Sequence, residues 1–116
     1  MKVKRIVSNI ESSELDKAVD FYGGIFGLDL LMDLGWIRTY GSDSKMTVQV
    51  SIVKGRGSGA SVPDLTIEVD DIEIALDRVK KANIRIEYGP QREEWGVRRF
   101  FVRDPFGKLI NVMQLT

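Results

Sequence analysis

The chain has 116 residues and contains neither cysteine nor histidine. Without cysteine there can be no disulfide, no thiol nucleophile and no Cys-ligated zinc or iron–sulfur cluster. Without histidine the chain lacks the usual general base, so Ser-His-Asp hydrolysis is excluded. Any metal held by side chains would therefore depend on oxygen ligands, chiefly carboxylates.

The chain also lacks an excess of charge of either sign and a long apolar run. Lys and Arg together number 17, as do Asp and Glu, so the formal net charge at pH 7 is zero. No global field therefore favours nucleic acid or an anionic membrane as a partner. Since no segment has the apolar run of a signal peptide or a membrane span, we expect a cytoplasmic protein with no membrane partner.

The residues that are present have the composition of one globular domain. Hydrophobic residues make up 43% and charged residues 29% of the chain, which is ordinary for a folded protein. The length predicts a single domain that spans residues 1–116.

This domain contains an internal repeat at a shift of 57 residues. Residues 10–22 resemble residues 67–79, and four residues recur in register: Ile10, Glu11, Ala18 and Asp20 return as Ile67, Glu68, Ala75 and Asp77. Such self-similarity indicates a duplicated structural unit. We predict two repeats, about 1–54 and 62–116, joined by a Gly/Ser-rich linker at 55–61 whose composition is typical of flexible connections.

Each repeat contains one predicted amphipathic helix. The first has an apolar stripe formed by Leu15, Ala18, Val19, Tyr22 and Phe26. Ser12 or Ser13 supplies its N-cap, and Gly27 ends it. The second has an apolar stripe formed by Ile72, Ala75, Leu76 and Val79. Asp70, with Glu73 in a capping-box-like spacing, opens this helix and Asn83 ends it.

Alternating apolar and polar residues predict strands before and after each helix. The segments are 4–11, 28–32, 36–40 and 46–53 in the first repeat, and 64–69, 84–88, 97–103 and 109–115 in the second. Their apolar phase, which includes Ile6, Val50, Ile52, Ile67 and Ile110, should lie under the helices. The opposite phase is polar. It forms either a solvated sheet face, as antiparallel sheets commonly have, or the lining of a cleft in a curled sheet.

Three stretches are similar to motifs of a known family. Residues 14–22 with the following Phe26-Gly27-Leu28 resemble its first helix and exit, Val69-Asp70-Asp71-Ile72 resembles the start of its second helix, and residues 96–110 resemble its closing hairpin. The family is the vicinal oxygen chelate superfamily, which includes glyoxalase I, bleomycin-resistance proteins and extradiol dioxygenases. The resemblance implies an α+β fold of two tandem βαβββ modules that form a cupped, mostly antiparallel sheet with the helices outside, and a homodimer.

The resemblance also implies where a metal would be held. Enzymes of the family use up to four symmetric positions, which fall here on Val7, Gln49, Asp64 and Asn111. Val7 cannot ligate a metal, Gln49 and Asn111 offer neutral carbonyl oxygens, and Asp64 supplies the one negative charge. Because tight divalent sites rely on histidines or several carboxylates, we predict neither a metal nor another cofactor. Asp64 is then the single candidate for a catalytic base.

The remaining expectation is a face that holds a molecule. Trp95 lies in the polar stretch 91–96, where an apolar ring has little local reason to be unless it covers a cavity or a partner. The resemblance places Phe101, with Arg99 in the same phase, on the side that faces ligand in related proteins. The predicted ligand-binding residues are Asn9, Trp36, Gln49, Asp64, Trp95, Arg99, Phe101 and Asn111.

These residues predict metal-independent binding of a small organic molecule, aromatic or anionic, similar to bleomycin-resistance-type sequestration. Arg99 could contact such a ligand through bidentate or stacking geometry. One alternative is a glyoxalase- or dioxygenase-like enzyme with unusual metal ligands or with Asp64 as base. Another is a protein-interaction module that kept the fold and lost the pocket.

Overall fold

The computed structural model describes residues 1–2, 4–46, 49–53 and 61–116. A first helical segment consists of a 3₁₀ turn, Leu15–Lys17, followed by a π-helical stretch, Val19–Ile25. One α-helix follows later in the chain, α1 at Ile72–Lys81. The strands are β1 (Asp29–Asp33), β2 (Arg38–Gly41), β3 (Leu65–Glu68), β4 (Ile86–Glu93), β5 (Val97–Arg103) and β6 (Leu109–Leu115).

The strands form two sheets. β1 and β2 pair as an antiparallel hairpin, and the larger sheet has the order β3-β6-β5-β4. In the larger sheet β3 runs parallel to β6, while β6, β5 and β4 are antiparallel to their neighbours. The predicted α+β class is therefore confirmed, with mixed sheets that do not close on themselves.

The helices cover one face of the larger sheet. The core under them includes Val79 of α1 and, from β5 and β6, Phe100, Val102, Ile110 and Val112, all fully buried. Leu65 and Ile67 of β3 pack against the same core. Phe100 and Val102, like Ile110 and Val112, are two positions apart and therefore point to the same face of the sheet. Their burial under the helices confirms the apolar phase predicted for the C-terminal strands.

The first helical segment buries a different set of residues from the predicted α-helical stripe. Ala18, Phe21, Tyr22 and Ile25 are buried, whereas Val19 is 49% exposed. The buried residues follow one another at steps of three and four, so they form one helical face, and this face is turned toward Phe21 and Ile25 and away from Val19. Gly27, in a left-handed conformation with φ 66°, follows the C-cap residue Phe26 and ends the segment as predicted.

The second helix begins one residue later than predicted. Asp71, not Asp70, is the N-cap, and its side chain accepts a hydrogen bond from the Glu73 backbone N–H at 3.1 Å. The helix starts at Ile72, so Glu73 is its second residue, and an N-cap carboxylate accepts from the N–H of the second or third residue. Asn83 follows the helix with φ 57°, as predicted.

The N-terminal half differs most from the prediction. Residues 4–11, and those of 46–53 that the structure describes, are outside the strands, and Ile6, Val50 and Ile52 are 48%, 76% and 92% exposed. Alternation alone does not make a strand, because a strand also needs a neighbour for its backbone hydrogen bonds. Thr47, Val48 and all but the last residue of the predicted linker 55–61 lie outside the described residues.

A buried hydrogen bond ties the first helical segment to the β5–β6 turn. The Tyr22 hydroxyl donates to Asp104 Oδ2 at 2.6 Å, and Asp104 is 4% exposed. The other carboxylate oxygen, Oδ1, accepts from the backbone N–H groups of Phe106 and Lys108, both at 2.8 Å. Burial, followed by this hydrogen bond and the charge of Asp104, raises the pKa of Tyr22 well above its ordinary value.

Among the described residues, no helix has the length and apolar character needed to cross a membrane.

Candidate functional site

The face of the larger sheet away from the helices, here called the open face, is crossed by a row of paired residues. Tyr88 of β4 is opposite Phe101 of β5, Phe101 is opposite Asn111 of β6, and Asn111 is opposite Thr66 of β3. Because Phe100 and Val112 point into the core, strand alternation sends Phe101 and Asn111 to the other side. The row therefore runs over all four strands.

A bulge in β4 sets how this row lines up with Arg99. The register shifts between Tyr88 and Gln91, so that Gln91 pairs with Arg99 while Tyr88 pairs with Phe101. Gly89 permits the bulge: its φ is +81°, and a Cβ at this position would lie 2.5 Å from the Arg99 carbonyl oxygen. Only glycine allows this backbone approach without displacement.

Arg99 is the centre of a compact group on the open face, the Arg99 cluster, formed with Tyr88, Glu93, Trp95 and Phe101. The Arg99 Cζ atom lies 4.9 Å from the ring centroid of Phe101, 5.2 Å from that of Tyr88 and 5.2 Å from that of Trp95. These are cation–π distances. The rings of Tyr88 and Phe101 also contact each other, with centroids 4.9 Å apart.

Glu93 supplies a negative charge within this cluster. The Arg99 Nε donates to Glu93 Oε1 at 3.4 Å, and the Tyr88 hydroxyl donates to the same oxygen. The side chains of Arg99 and Glu93 are only 11% and 8% exposed. The charges are thus largely withdrawn from water and depend on their protein neighbours.

Trp95 leaves much of its ring open to solvent. It lies in the tight turn between β4 and β5, closed by the Gly96 N–H donating to the Glu93 carbonyl oxygen at 3.2 Å. The side chain is 57% exposed although one side of it contacts the Arg99 guanidinium. A planar molecule can stack on the exposed part of this ring.

Asn111 adds a polar group beside Phe101. Its Nδ2 donates to Thr66 Oγ1 at 3.3 Å, while Oδ1 is buried and has no hydrogen-bond partner among the described residues. A buried amide oxygen without a donor is costly. A donor group placed on the open face would relieve this cost.

Asp64 and Asn9 lie at a different place. They line a shallow groove of about 320 Å³ together with Ser8, Ile10, Leu65 and Lys108. Asp64 Oδ2 accepts from the Leu109 backbone N–H at 2.8 Å, and the Asp64 N–H donates to the Leu109 carbonyl oxygen at 2.8 Å. These bonds anchor the start of β3 to β6 and engage one oxygen of the carboxylate.

The other two predicted binding residues belong to the N-terminal half. Trp36 lies in the β1–β2 turn and is 76% exposed, and Gln49 is exposed and outside the strands. The structure therefore brings together Trp95, Arg99, Phe101 and Asn111, places Asn9 with Asp64 in the groove, and leaves Trp36 and Gln49 outside both groups.

The four positions at which relatives hold a metal do not fit one here. Val7 is apolar and 47% exposed, Asp64 is bonded to backbone, and Gln49 and Asn111 provide only amide groups. Within the described part of the chain, no group of three or more His, Cys, Asp or Glu residues could hold a metal ion. One carboxylate with amides is a poor donor set for a divalent cation.

Sequence reasoning missed three residues of this face: Tyr88, Glu93 and Thr66. The predicted strand ended at residue 88 and left Glu93 in the polar stretch 91–96, whereas β4 continues through Gly89 and Pro90 to Glu93. An edge strand tolerates both proline and a bulge, so the sequence was compatible with a strand that continues past Gly89 and Pro90 to Glu93.

Comparison with known proteins identifies the family of this chain. Residues 6–112 match the Glyoxalase/Bleomycin resistance protein/Dioxygenase superfamily. No curated protein matches the sequence at a significant level.

Solved structures share the fold over nearly the full length. TnmS3, described as an antibiotic binding protein from Streptomyces sp. CB03234, is 26% identical with a TM-score of 0.67, over 95% of this chain and 98% of its own. TioX from Micromonospora sp. ML1 is 21% identical with a TM-score of 0.64, over 97% of each chain. A lactoylglutathione lyase from Agrobacterium tumefaciens is 20% identical with a TM-score of 0.68, over 98% of this chain and 96% of its own. With the family match over residues 6–112, the chain belongs to the glyoxalase/bleomycin resistance protein/dioxygenase superfamily.

Proposed function

We propose that this protein binds a small, planar aromatic molecule on the open face of its sheet, without a metal ion. The observation that carries the proposal is the Arg99 cluster, in which three aromatic rings surround one guanidinium and one of them, Trp95, is 57% exposed. An exposed tryptophan held in place by a stacked cation is a preformed surface for a flat ligand.

Two further observations support this function. Asn111 offers a buried amide beside Phe101 whose Oδ1 has no partner among the described residues, so it can accept a hydrogen bond from a ligand donor. TnmS3, 26% identical over 95% of this chain, is described as an antibiotic binding protein, which supports a binding role on the same fold.

The donor set argues against the enzymatic alternative. The glyoxalase and dioxygenase reactions of the superfamily, as the sequence resemblance implies them, use a metal at four positions, and these positions hold Val7, Gln49, Asp64 and Asn111 here. The Asp64 carboxylate is engaged by the Leu109 backbone N–H at 2.8 Å. It serves better as an anchor for β3 than as a base.

Isothermal titration calorimetry with 2-naphthamide, a flat and uncharged probe, tests this function in buffer that contains EDTA. We expect saturable binding to the wild-type protein. Trp95→Ala should weaken it about tenfold, since an aromatic stack together with its buried area contributes more than 1 kcal/mol. The same titration on Trp36→Ala shows whether the N-terminal half contributes. Loss of binding in Trp36→Ala with no change in Trp95→Ala would place the site elsewhere and contradict the proposal.

A homodimer, a cytoplasmic location and the division into two repeats also remain part of the proposal. The sequence repeat supports the two repeats, the family resemblance supports the homodimer, and the cytoplasmic location is the expectation of the sequence analysis alone.

A further inference from the structure

The groove at the start of β3 contains polar groups that neither the fold nor the proposed function uses in full. Its volume is about 320 Å³, at the small end of the range for ligand pockets, which is about 300–1,000 Å³. Three separate parts of the chain line it: Ser8, Asn9 and Ile10, then Asp64 and Leu65, and then Lys108. The groove therefore has room for a molecule of the size of an amino acid, and it contains one charge of each sign.

Asp64 has one carboxylate oxygen available to a ligand. Its Oδ2 accepts from the Leu109 backbone N–H at 2.8 Å, whereas Oδ1 has no donor among the described residues. The hydrogen bond to Leu109 fixes the side chain at the wall of the groove, where Asp64 is exposed. A carboxylate held in this way can accept a charge-assisted hydrogen bond from an ammonium group through its second oxygen.

Lys108 supplies the opposite charge of the groove. The residue is half-buried, and its ammonium has neither a carboxylate nor another acceptor in the part of the chain that the structure describes. Lys108 directly precedes Leu109, whose N–H binds Asp64, yet Lys108 and Asp64 form no ion pair with each other. The two charges line the same groove but stand apart. Because burial removes part of the hydration of a cation, an anionic group in the groove would stabilise Lys108.

The apolar part of the groove is aliphatic. Ile10 and Leu65 are both partly buried and pack against the hydrophobic core, and none of the described residues that line the groove is aromatic. An aliphatic chain that covers these two side chains leaves water together with them, which favours binding. A ligand that matches the whole groove therefore combines an ammonium group, a carboxylate and an aliphatic chain.

We propose that this groove binds a free α-amino acid with an aliphatic side chain. The ammonium group of the ligand donates to Asp64 Oδ1, its carboxylate accepts from Lys108 Nζ, and its side chain lies on Ile10 and Leu65. An α-amino acid suits this arrangement because it carries both charges on one carbon, from which the side chain extends. The site is separate from the Arg99 cluster, so the inference goes beyond the proposed function and does not depend on it.

Three probes with the same unbranched aliphatic chain separate the contributions of the two charges. L-Norleucine carries both charges, hexanoate lacks the ammonium group, and pentylamine lacks the carboxylate. The readout is the backbone N–H signal of Leu109 in ¹⁵N-labelled protein, because this N–H donates to Asp64. We expect L-norleucine to shift the signal to saturation and to bind about tenfold more tightly than either analogue, the effect of one charged hydrogen bond.

Two variants that each remove one charge assign the roles within the groove. Asp64→Asn keeps an oxygen that can accept from Leu109, and it should weaken the binding of L-norleucine about tenfold without weakening that of hexanoate. Lys108→Gln should weaken the binding of L-norleucine by a similar factor without weakening that of pentylamine. The matched controls are Glu68→Gln and Lys4→Gln, which remove exposed charges outside the groove. Both controls should bind L-norleucine as the wild type does.

Two kinds of result would overturn the inference. If the wild type binds L-norleucine no more tightly than one of its analogues, the groove does not recognise both charges, and this comparison does not depend on the folding of any variant. If no probe shifts the Leu109 signal, or if the control variants lose as much affinity as Asp64→Asn and Lys108→Gln, the groove is not the binding site. Titration with 2-naphthamide measures the open face separately, so either proposal can fail without the other.

Discussion

Replacing Gly89 by alanine tests how the bulge in β4 builds the candidate site. At this residue φ is +81°, and an added Cβ would lie 2.5 Å from the Arg99 carbonyl oxygen and 3.0 Å from the Gln91 nitrogen. Gly107, in the β5–β6 turn, has the same φ of +81°, but a Cβ there meets nothing within 4 Å. The two glycines therefore share the conformational cost of alanine and differ in the steric one.

The magnitudes follow from these contacts. A left-handed backbone costs a non-glycine residue about 1–2 kcal/mol, so Gly107→Ala should lower the free energy of unfolding by about that amount. Gly89→Ala must in addition displace β4 from β5, and overpacking of this kind costs about 1–3 kcal/mol more. We expect the Gly89→Ala loss to be about 2–5 kcal/mol in total.

Urea denaturation followed by far-UV circular dichroism measures both losses. Because the backbone that must shift carries Arg99, Gly89→Ala should also weaken the binding of 2-naphthamide, whereas Gly107→Ala should not. Equal losses of stability in the two variants would refute the reasoning, since the close approach of Gly89 to β5 would then have no energetic weight.

Three further predictions concern the core and its buried hydrogen bond. Tyr22→Phe should lower the free energy of unfolding by about 1–3 kcal/mol, because it leaves Asp104 Oδ2 buried without a donor. Urea denaturation of Tyr22→Phe, Asp104→Asn and the double variant checks this. Losses that simply add in the double variant would contradict it. Since the pKa of Tyr22 is raised in the folded protein, the stabilisation is present below the ordinary tyrosine pKa of about 10 and is lost as pH rises above it; the wild type should lose more stability than Tyr22→Phe between pH 9 and pH 11. Ile110→Ala should cost about 2–5 kcal/mol because Ile110 is fully buried under the helices, and a loss below 1 kcal/mol in urea denaturation would reverse the assignment of the sheet faces.

The C-terminal hairpin was the most predictable part of the fold. The bounds of β5 and β6 are the predicted ones, because both segments are rich in apolar residues that favour strands and the turn between them contains Asp104 followed by proline and glycine. Local sequence determined these strands since their pairing partners are adjacent in the chain.

The N-terminal half was less predictable. Residues 4–11 alternate as a strand would, yet in the structure they have no strand conformation. Whether such a segment forms a strand depends on a distant partner, which the alternation of one segment does not specify.

The candidate site was predictable in part. The phase of β5 and β6 places Arg99, Phe101 and Asn111 together, and the unusual position of a tryptophan in a polar stretch singles out Trp95. Tyr88 and Glu93 were not predicted as site residues, because their positions depend on the Gly89 bulge, which changes the register of β4 within the strand. The same bulge brings Gln91 opposite Arg99.

The most direct test of metal-free binding on the open face is the indole N–H signal of Trp95 in a ¹⁵N-labelled protein. The chain has two tryptophans, and the signal of Trp95 is the one absent from Trp95→Phe. In buffer with EDTA, titration with 2-naphthamide should shift this signal progressively to saturation. A signal that does not move, or that moves only after a divalent metal is added, would contradict the account.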